Sequence, residues 1–381
     1  MIRSKSWHKG ALLFIFMGFS NLSWSQDKLF PMRQYDQWGF INKKGEWVIP
    51  ARFDQARYFS DSLAAIAVEG KWGFVNKEGK MVIEPQFTGP YHRPKFKTAW
   101  GKPVYAQALE PFSEGLAPVI KDKKLVYINK KGEVVIEKDF KMANPFYNGL
   151  ALAQTKYDLY GYLKPSGEWA IEPQYDFARD FSNGWAAVKP EDGEWHYINS
   201  QGEKMLQEVA SDRFSNKNFS KPGPFSEGLA PVEIRYDLKK DPMSSKSGFM
   251  VGNYPVYINK KGQVQFLHLS PETPGVFDEA RPFSDGLAIV SNNKGEWVVN
   301  SKGEEVIAAE KLENKSEKII HIDDFSNGMA LVIFQPEDAM GFTCRGSGIW
   351  KFCSDAYYGY INLKGDFVYK QRSCIFTADS L

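Results

Sequence analysis

The residue types that usually carry out chemistry do not form a catalytic pattern in this sequence. None of its histidines has the His-Glu-x-x-His spacing of a zinc site. The five are His8, His92, His196, His268 and His321. The sequence also lacks the Gly-x-Ser-x-Gly turn of a hydrolase nucleophile, the P-loop and the Gly-x-Gly-x-x-Gly dinucleotide motif. We therefore predict a protein that is not an enzyme and that needs no metal and no cofactor.

The three cysteines suggest structural chemistry. Cys344 and Cys353 are close in sequence, and a disulfide between them would close a loop of about ten residues in an oxidising compartment. Cys374 is left over near the end of the chain, either as a free thiol or as the true partner of one of the other two. No histidine at a defined spacing supports a catalytic cysteine. We predict the disulfide between Cys344 and Cys353.

Aromatic side chains provide the candidate ligand surface. Trp100 and Trp350 lie in long insertions, and Tyr91, Tyr105 and Tyr357 are near them in sequence. Exposed aromatic rings can stack on sugars or anchor a protein partner, because they give a large contact area at a low entropic cost. The alternative is that these rings only pack the insertions onto the body of the protein.

The first 25 residues are predicted to be a secretory signal peptide. A basic start that includes Arg3 and Lys5 precedes an apolar stretch at 11–19, and Ser23 and Ser25 place small side chains at the cleavage-determining positions. The apolar stretch is too short for a bilayer span, which needs about 20 residues. We expect cleavage after Ser25 and a protein that is secreted, periplasmic or on the cell surface, without a transmembrane segment.

Composition and charge narrow the class of partner. The chain has 381 residues, of which 43% are hydrophobic and 25% charged, and this is a globular composition. It has 48 Lys and Arg against 46 Asp and Glu; the first 25 residues hold three of the basic residues and no acid, so 45 and 46 remain after cleavage. Nucleic-acid binding needs clustered positive charge, whereas these lysines recur in the turns of a repeat. We expect no nucleic-acid partner.

A repeated motif dominates the sequence. The string Trp-Gly-Phe-Ile-Asn-Lys-Lys-Gly-Glu-Trp-Val-Ile-Pro at 38–50 returns as Trp-Gly-Phe-Val-Asn-Lys-Glu-Gly-Lys-Met-Val-Ile-Glu-Pro at 72–85, and then six more times in diverged form. One turn glycine marks each unit: Gly45, Gly79, Gly132, Gly167, Gly202, Gly262, Gly303 and Gly365. A second motif, Phe-Ser-x-Gly-Leu-Ala, recurs seven times. We predict one domain of about eight tandem units over residues 26–369, followed by a tail at 370–381.

These blocks, which recur in order, resemble the bacterial WG-repeat family, also called KWG repeats. The resemblance covers roughly residues 38–369 and implies a secreted or surface-associated repeat protein, with no catalytic residues to carry over. The Trp-Gly pair reads Val-Tyr at 126–127 and 256–257, Trp-His at 195–196 and Trp-Val at 297–298, so these units are interpreted as diverged copies. Four tryptophans are assigned to the repeat position in the core: Trp38, Trp72, Trp195 and Trp297.

The residues of each unit predict β-strands. Residues 38–42 and 46–49 are β-branched or aromatic between turn residues, which predicts two strands, B and C, joined by an Asn-x-x-Gly turn. A preceding strand A, such as residues 63–68, is apolar at consecutive positions, which indicates burial on both faces. The segment before it, such as residues 53–59, is either a bent strand D or one helical turn. The first unit lacks a recognisable strand A.

Units of three or four antiparallel strands with two apolar faces must stack on their neighbours. An all-β, propeller-like ring of such units is favoured because closure protects strand edges, and an open β-solenoid of stacked hairpins is the alternative. Because antiparallel strands alternate in direction, the long insertions between A and B and between C and D should leave one common face. The short Asn-x-x-Gly turns should lie on the opposite face.

The sequence favours a non-catalytic interaction or scaffold module at the cell envelope or outside the cell. We expect a protein partner bound on the face that carries the insertions. Binding of envelope glycans through the insertion aromatics is the second alternative, and an enzyme with its site in the insertions is the third. The oligomeric state and the identity of the partner do not follow from the sequence.

The repeat tryptophan provides a test of this core assignment. Trp72→Ala should lower the free energy of unfolding by about 3 to 5 kcal/mol, because it removes a large core side chain. Lys77→Ala in the adjoining turn should be nearly neutral. Chemical denaturation of the two variants checks this, and comparable losses at both positions would contradict the assignment.

Overall fold

The regular structure consists of β-strands throughout the residues that the computed structural model describes. These are residues 28–34, 37–88, 110–210, 217–237, 251–266, 277–292, 295–307, 317–336 and 357–372. Within these ranges the strands form seven antiparallel sheets, and the seven-stranded sheet contains two repeat units that are joined by the pairing of Thr88 with Ile120, so the chain has eight successive units. The predicted all-β repeat architecture is therefore confirmed.

Units 1 to 4 occupy the first half of the chain. Unit 1 contains β1 (Phe30–Gln34), β2 (Gln37–Ile41) and β3 (Trp47–Phe53). Unit 2 contains β4 (Gln55–Ala56), β5 (Ala64–Val68), β6 (Lys71–Val75) and β7 (Met81–Thr88). Unit 3 contains β8 (Leu116–Lys121), β9 (Lys124–Asn129) and β10 (Val134–Glu137). Unit 4 contains β11 (Phe140–Ala143), β12 (Ala151–Thr155), β13 (Tyr160–Leu163) and β14 (Trp169–Tyr175).

Units 5 to 8 occupy the second half. Unit 5 contains β15 (Phe177–Ala178), β16 (Ala186–Lys189), β17 (His196–Ile198) and β18 (Lys204–Leu206). Unit 6 contains β19 (Lys221–Pro222), β20 (Leu229–Asp237), β21 (Val251–Asn259) and β22 (Val264–Phe266). Unit 7 contains β23 (Glu279–Ala280), β24 (Leu287–Asn292), β25 (Gly295–Asn300) and β26 (Glu305–Ile307). Unit 8 contains β27 (Glu317–Ile322), β28 (Met329–Pro336), β29 (Tyr357–Asn362) and β30 (Phe367–Arg372).

Each four-stranded unit has the strand order D-A-B-C. The segment before strand A is a short strand that pairs with A, as Ala56 pairs with Ile66, so the choice between strand and helical turn is resolved in favour of a strand. Strand A is buried at consecutive positions, whereas strand C exposes alternate side chains such as Val48 and Val82. Strand C is therefore the outer strand of each unit. Unit 1 does have a strand A, β1, so the expectation that it lacks one is wrong.

The Asn-x-x-Gly turns have the predicted bulged geometry. In unit 1 the amide of Gly45 donates to the carbonyl of Asn42, and Gly45 has φ of 80°. The side-chain oxygen of Asn42 accepts from the amides of Lys44 at 2.9 Å and Glu46 at 3.1 Å. All eight turn glycines have φ between 75° and 85°, the left-handed region that glycine enters without steric cost. In unit 4 the same turn forms with Lys164 in place of the asparagine.

The Phe-Ser-x-Gly motif forms a second tight turn, which joins strands D and A. Its two central residues both have positive φ, as in Glu114 and Gly115 at 53° and 85°, and this is the type I′ hairpin turn. The turn is closed by hydrogen bonds between Ser113 and Leu116. In unit 2 the second central residue is Ser62, which has φ of 72° without being glycine.

In seven units the turn glycine packs against strand C or the residues after it in the preceding unit. A Cβ placed on Gly79 of unit 2 would lie 3.3 Å from Ile49 of unit 1, and one placed on Gly132 of unit 3 would lie 3.4 Å from Ile83 of unit 2. The same contact joins the last unit to the first, because a Cβ on Gly45 would lie 3.2 Å from the ring of Tyr369. The eight units therefore form a closed, propeller-like ring, and the open solenoid is excluded.

In five of the eight units a buried tyrosine of strand B joins the unit to the next one. The hydroxyl of Tyr162 in unit 4 donates to the carbonyl of Arg179 in unit 5 at 2.7 Å, and Tyr197 donates to Gly223 of unit 6 at 2.7 Å. Tyr360 of unit 8 donates at 3.0 Å to the carbonyl of Pro31, which is on strand A of unit 1, so a buried tyrosine also joins the last unit to the first. These rings are nearly inaccessible to solvent, and burial raises the pKa of each phenol.

The type I′ turns predict a stabilising substitution. Ser62→Gly should raise the free energy of unfolding by about 0.5 to 1 kcal/mol, because a side chain at positive φ is strained and glycine is not. The reverse change, Gly115→Ser, should lower it by a similar amount, since a Cβ there meets no atom within 4 Å and only the backbone conformation changes. Urea denaturation of both variants checks this, and an equal sign for the two effects would contradict it.

The buried tyrosines predict a loss of stability in alkali. The folded-state pKa of each is raised, so their contribution is complete below the unfolded pKa of about 10 and is lost as the pH rises above it. The unfolding free energy should fall between pH 9 and roughly pH 11, and this fall should be smaller in Tyr197→Phe. The exposed Tyr157, replaced by Phe, serves as the control. Full ionisation of all tyrosines near pH 10 without unfolding would disprove the prediction.

Candidate functional site

The insertion aromatics predicted from the sequence lie mostly outside the described residues. Trp100, Trp350, Tyr91 and Tyr105 are in this group, and so are the three cysteines, including Cys344 and Cys353. Tyr357 is the first residue of β29, and its backbone pairs with Phe334 of β28. The ligand role of these aromatics and the disulfide remain predictions.

The ring has one face from which the long connections leave, and we call it the long-connection face. Segments 89–109, 211–216, 267–276 and 308–316 follow strands C, and segments 238–250 and 337–356 join strands A to strands B. Since neighbouring strands of every unit are antiparallel, the described strands that flank these six segments all end at this face. The expected common attachment of the long insertions is therefore confirmed.

The opposite face, which we call the short-turn face, is bound together by its own side chains. The carboxylate of Asp61 in unit 2 accepts from the amide of Gly115 in unit 3 at 2.6 Å and pairs with Lys130 at 2.7 Å. Asp285 in unit 7 accepts in the same way from Gly328 in unit 8 at 2.6 Å. The hydrogen bonds and Lys130 together hold the pKa of the Asp61 carboxyl below its usual range, against the opposing effect of burial. This face is thus engaged in holding the units together.

A polar cluster lies between units 7 and 8. The guanidinium of Arg281 donates to the carbonyl of Ile322 at 2.6 Å and to the carboxylate of Glu296 at 3.3 Å. The second oxygen of Glu296 accepts from the amide of Ile322 at 2.9 Å. Burial raises the pKa of the Asp324 carboxyl, although Arg281 at 3.6 Å opposes this. The charge of Arg281 is therefore balanced within the ring.

The matching position between units 5 and 6 is occupied differently. Arg179 stands where unit 7 has Arg281, and its guanidinium carbon lies 5.8 Å from the centre of the Trp195 ring. Nε of Arg179 is buried without a hydrogen-bond partner. Phe177, two residues earlier on the same side of the sheet, is 51% exposed, and its ring centre lies 6.2 Å from that of Trp195. These three side chains form a half-open site that we call the Arg179 crevice.

Neighbouring acids are already engaged with other groups. Glu233 of unit 6 pairs with Lys221 at 3.0 Å, and burial raises the pKa of its carboxyl. Both carboxylate oxygens of Asp180 accept from the side-chain amide of Asn144 at 2.8 Å. Burial in the crevice lowers the pKa of Arg179, but a guanidinium stays charged at any ordinary pH. The crevice thus contains a cation that stacks on Trp195 and lies near Asp180 and Glu233, but whose side chain makes no hydrogen bond or ion pair within the described residues.

The Arg179 crevice was not predicted from the sequence. The repeat motif assigned Trp195 to the core and gave Phe177 no role. Each unit was compared with the shared motif, and the units were not compared with one another. Aligning units 5 and 7 on their turn glycines reveals the signal, since Trp195 then stands where Glu296 stands. The comparison needs the strand register and the turns, which place each residue four positions before the first residue of the Asn-x-x-Gly turn.

The described residues show neither a metal-binding cluster nor a helix that could span a membrane. No group of three or more His, Cys, Asp and Glu residues in the described ranges is arranged to hold a metal ion. Nor do those ranges contain a helix of the length and hydrophobicity that a membrane span requires.

The repeat pattern agrees with a known family. The model of the WG containing repeat matches residues 38–72, 72–89, 102–124, 127–157, 160–195 and 273–297. The chain is a WG-repeat protein. Comparison with curated proteins gives no match to this WG-repeat protein.

Several solved structures are similar to this WG-repeat protein at low identity. The computationally designed Ika8 protein is 10% identical with a TM-score of 0.47, and the match covers 91% of this chain and 90% of that chain. BamB from Moraxella catarrhalis is 11% identical with a TM-score of 0.39, covering 84% and 87%. The WD40 β-propeller domain of Doa1 is 11% identical with a TM-score of 0.37, covering 83% and 99%. All three TM-scores are below 0.5. The fold is therefore assigned from the strand order and from the contacts between units.

The structure gives the Trp-Gly pair of this WG-repeat protein a physical meaning. Strand C bulges between the positions opposite Trp72 and Phe74 and passes so close that a Cβ on Gly73 would lie 2.5 Å from the carbonyl oxygen of Ile83. Trp72 itself is buried, and its partner across the sheet is Phe87. The glycine is thus required by the bulge, and the tryptophan fills the core beside it.

The strand register also corrects the repeat position in three diverged units. Trp297 pairs with Val290 as Gly73 pairs with Ile66, so Trp297 stands at the glycine position and not at the tryptophan position. The pair is therefore Glu-Trp at 296–297, and by the same register it is Leu-Val at 125–126 and Pro-Val at 255–256. The sequence assignment of these three units was shifted by one residue because it did not count the residues back from the turn.

Proposed function

We propose that this WG-repeat protein is exported and serves as a non-catalytic module that binds a protein partner at the cell envelope or outside the cell. The observation that carries the proposal is the common attachment of six long connections to one face of the ring. Repeat architectures commonly bind through the face that carries their insertions. Export is supported by the basic start, the apolar stretch and the small residues before position 26.

The two faces of the ring suit different tasks. On the short-turn face, side chains such as Asp61 and Asp285 hold neighbouring turns, so this face serves cohesion of the ring. The long-connection face carries the segments that vary between units in length and sequence, and Trp100 and Trp350 belong to these segments. A rigid ring would thus present variable loops, as is usual where loops carry function.

Trimming the connections tests the binding proposal. Segments 238–250 and 337–356 are each replaced by a short Gly-Ser linker, which leaves the flanking strands complete. We expect cooperative melting to persist and cross-linking to the envelope partner, identified by mass spectrometry and then purified, to be lost. The matched control changes Lys44, Lys131 and Lys261 on the short-turn face to serine and should bind normally.

Two results would contradict the proposal. Unchanged affinity of the trimmed protein for the purified partner would place the binding surface elsewhere. Loss of protein binding in the control alone would assign it to the short-turn face. Export is checked separately by the N-terminal residue of the protein recovered outside the cytoplasm, which should be Gln26. Retention of the first 25 residues inside the cell would disprove it.

A further inference from the structure

The Arg179 crevice differs from its internal counterpart in what surrounds the arginine. Arg281 contacts two carboxylates of the ring, those of Glu296 and Asp324. The strand register and the turns place Trp195 where Glu296 stands and Pro224 where Asp324 stands. At these two positions acids contact Arg281, whereas apolar side chains stand beside Arg179, and the acids near Arg179 are paired with other groups.

The arginine in the apolar crevice lacks the partners that its environment demands. A guanidinium removed from water normally pairs with an anion, because an unpaired buried charge is costly. Arg179 makes no hydrogen bond or ion pair through its side chain within the described part of the chain, and its Nε is shielded from solvent. Its backbone is fully used, with the amide donating to Ala187 and the carbonyl accepting from Tyr162. The buried Nε–H of Arg179 is therefore a donor without a partner among the described residues.

The residues around Arg179 indicate which kind of anionic ligand the crevice would bind. Phe177 of strand D pairs with Lys189 of strand A, and Trp195 directly precedes strand B, so all three lie at the edge that faces the long-connection side. The rings of Phe177 and Trp195 are inclined at 38°, so they form a notch and not a flat platform. Sugar rings stack best on one flat ring, whereas a notch accepts a branched apolar side chain. An exposed phenylalanine beside a cation therefore suits a peptide better than a glycan.

From these observations we infer that the Arg179 crevice binds a protein partner through a carboxylate and an adjacent apolar side chain. The carboxylate of a partner Asp, Glu or C-terminus takes the place that Glu296 fills in unit 7 and accepts from the guanidinium as a charge-assisted pair. The apolar side chain packs between Phe177 and Trp195. The inference rests on the proposed function, and it locates one contact of that binding surface on the ring itself.

Two short peptides that differ in one charge test the ligand chemistry. The mature chain is titrated by calorimetry with acetyl-Leu-Glu-Leu-amide and acetyl-Leu-Gln-Leu-amide, and NMR follows the Nε–H of Arg179 and the indole N–H of Trp195. We expect the glutamate peptide to bind about tenfold more tightly and to shift both signals. Arg179→Gln should lower its affinity to that of the glutamine peptide. Arg235→Gln, an exposed arginine in unit 6, is the matched control and should change little.

Thermal melting separates a binding role from a structural role. Arg179→Met should melt at or above the wild-type temperature, because it removes a cation without a partner. Arg281→Met should melt lower, because it removes the cation that both Glu296 and Asp324 contact. A fall in melting temperature for Arg179→Met as large as that for Arg281→Met would overturn the inference.

The remaining outcomes also decide the question. Equal binding of the two peptides, or an unaffected Arg179→Gln variant, would overturn the carboxylate contact. Tighter binding of glucuronate than of the glutamate peptide would overturn the assignment to a protein partner in favour of an acidic sugar. If the trimmed protein loses the purified partner while Arg179→Gln retains it, the proposed function stands and this inference fails.

Discussion

Packing between neighbouring units is the interaction on which this structure depends. Each unit is one small sheet with apolar side chains on both faces, so no unit can bury its own surface. The aromatic residue near the middle of strand B, such as Tyr162 or Tyr197, lies in this interface and is shielded from solvent. Where this residue is tyrosine, its hydroxyl also donates to a backbone carbonyl of the next unit. Hydrophobic burial and hydrogen bonding therefore fix the same distance between neighbouring units.

That spacing has consequences for strand A and for the loops. The tyrosine occupies the strand D carbonyl, so strand A need not supply an amide there, and Pro231 is accommodated opposite Gly223. The interfaces between units involve the described strands and short turns, and the long connections start from the other face of the ring. Functional variation can then accumulate in the connections and in crevices such as that of Arg179, while the interfaces stay the same.

Much of the fold followed from short-range patterns, and the site did not. The Asn42 to Gly45 turn could be predicted because its hydrogen bonds lie within five residues, and the burial of strand A followed from its consecutive apolar residues. The assignment of Trp297 to the tryptophan position was wrong because it relied on residue type. Counting residues back from the turn places Trp297 at the glycine position. Arg179 could not be recognised, because its meaning depends on Glu296 in another unit and on a register that brings the two positions into correspondence.

Closure of the ring sets different rules for two kinds of evolutionary change. The contact between Tyr369 and Gly45 exists only if the rotation at every interface adds up to one full turn. Gaining or losing one unit by recombination would change the angle required at all the others, so copy number is held constant once the ring exists. The length of a connection does not affect the rotation between neighbouring units. Related rings should therefore diversify through their loops and through paired substitutions at single interfaces, and change their unit number only by rebuilding the whole circle.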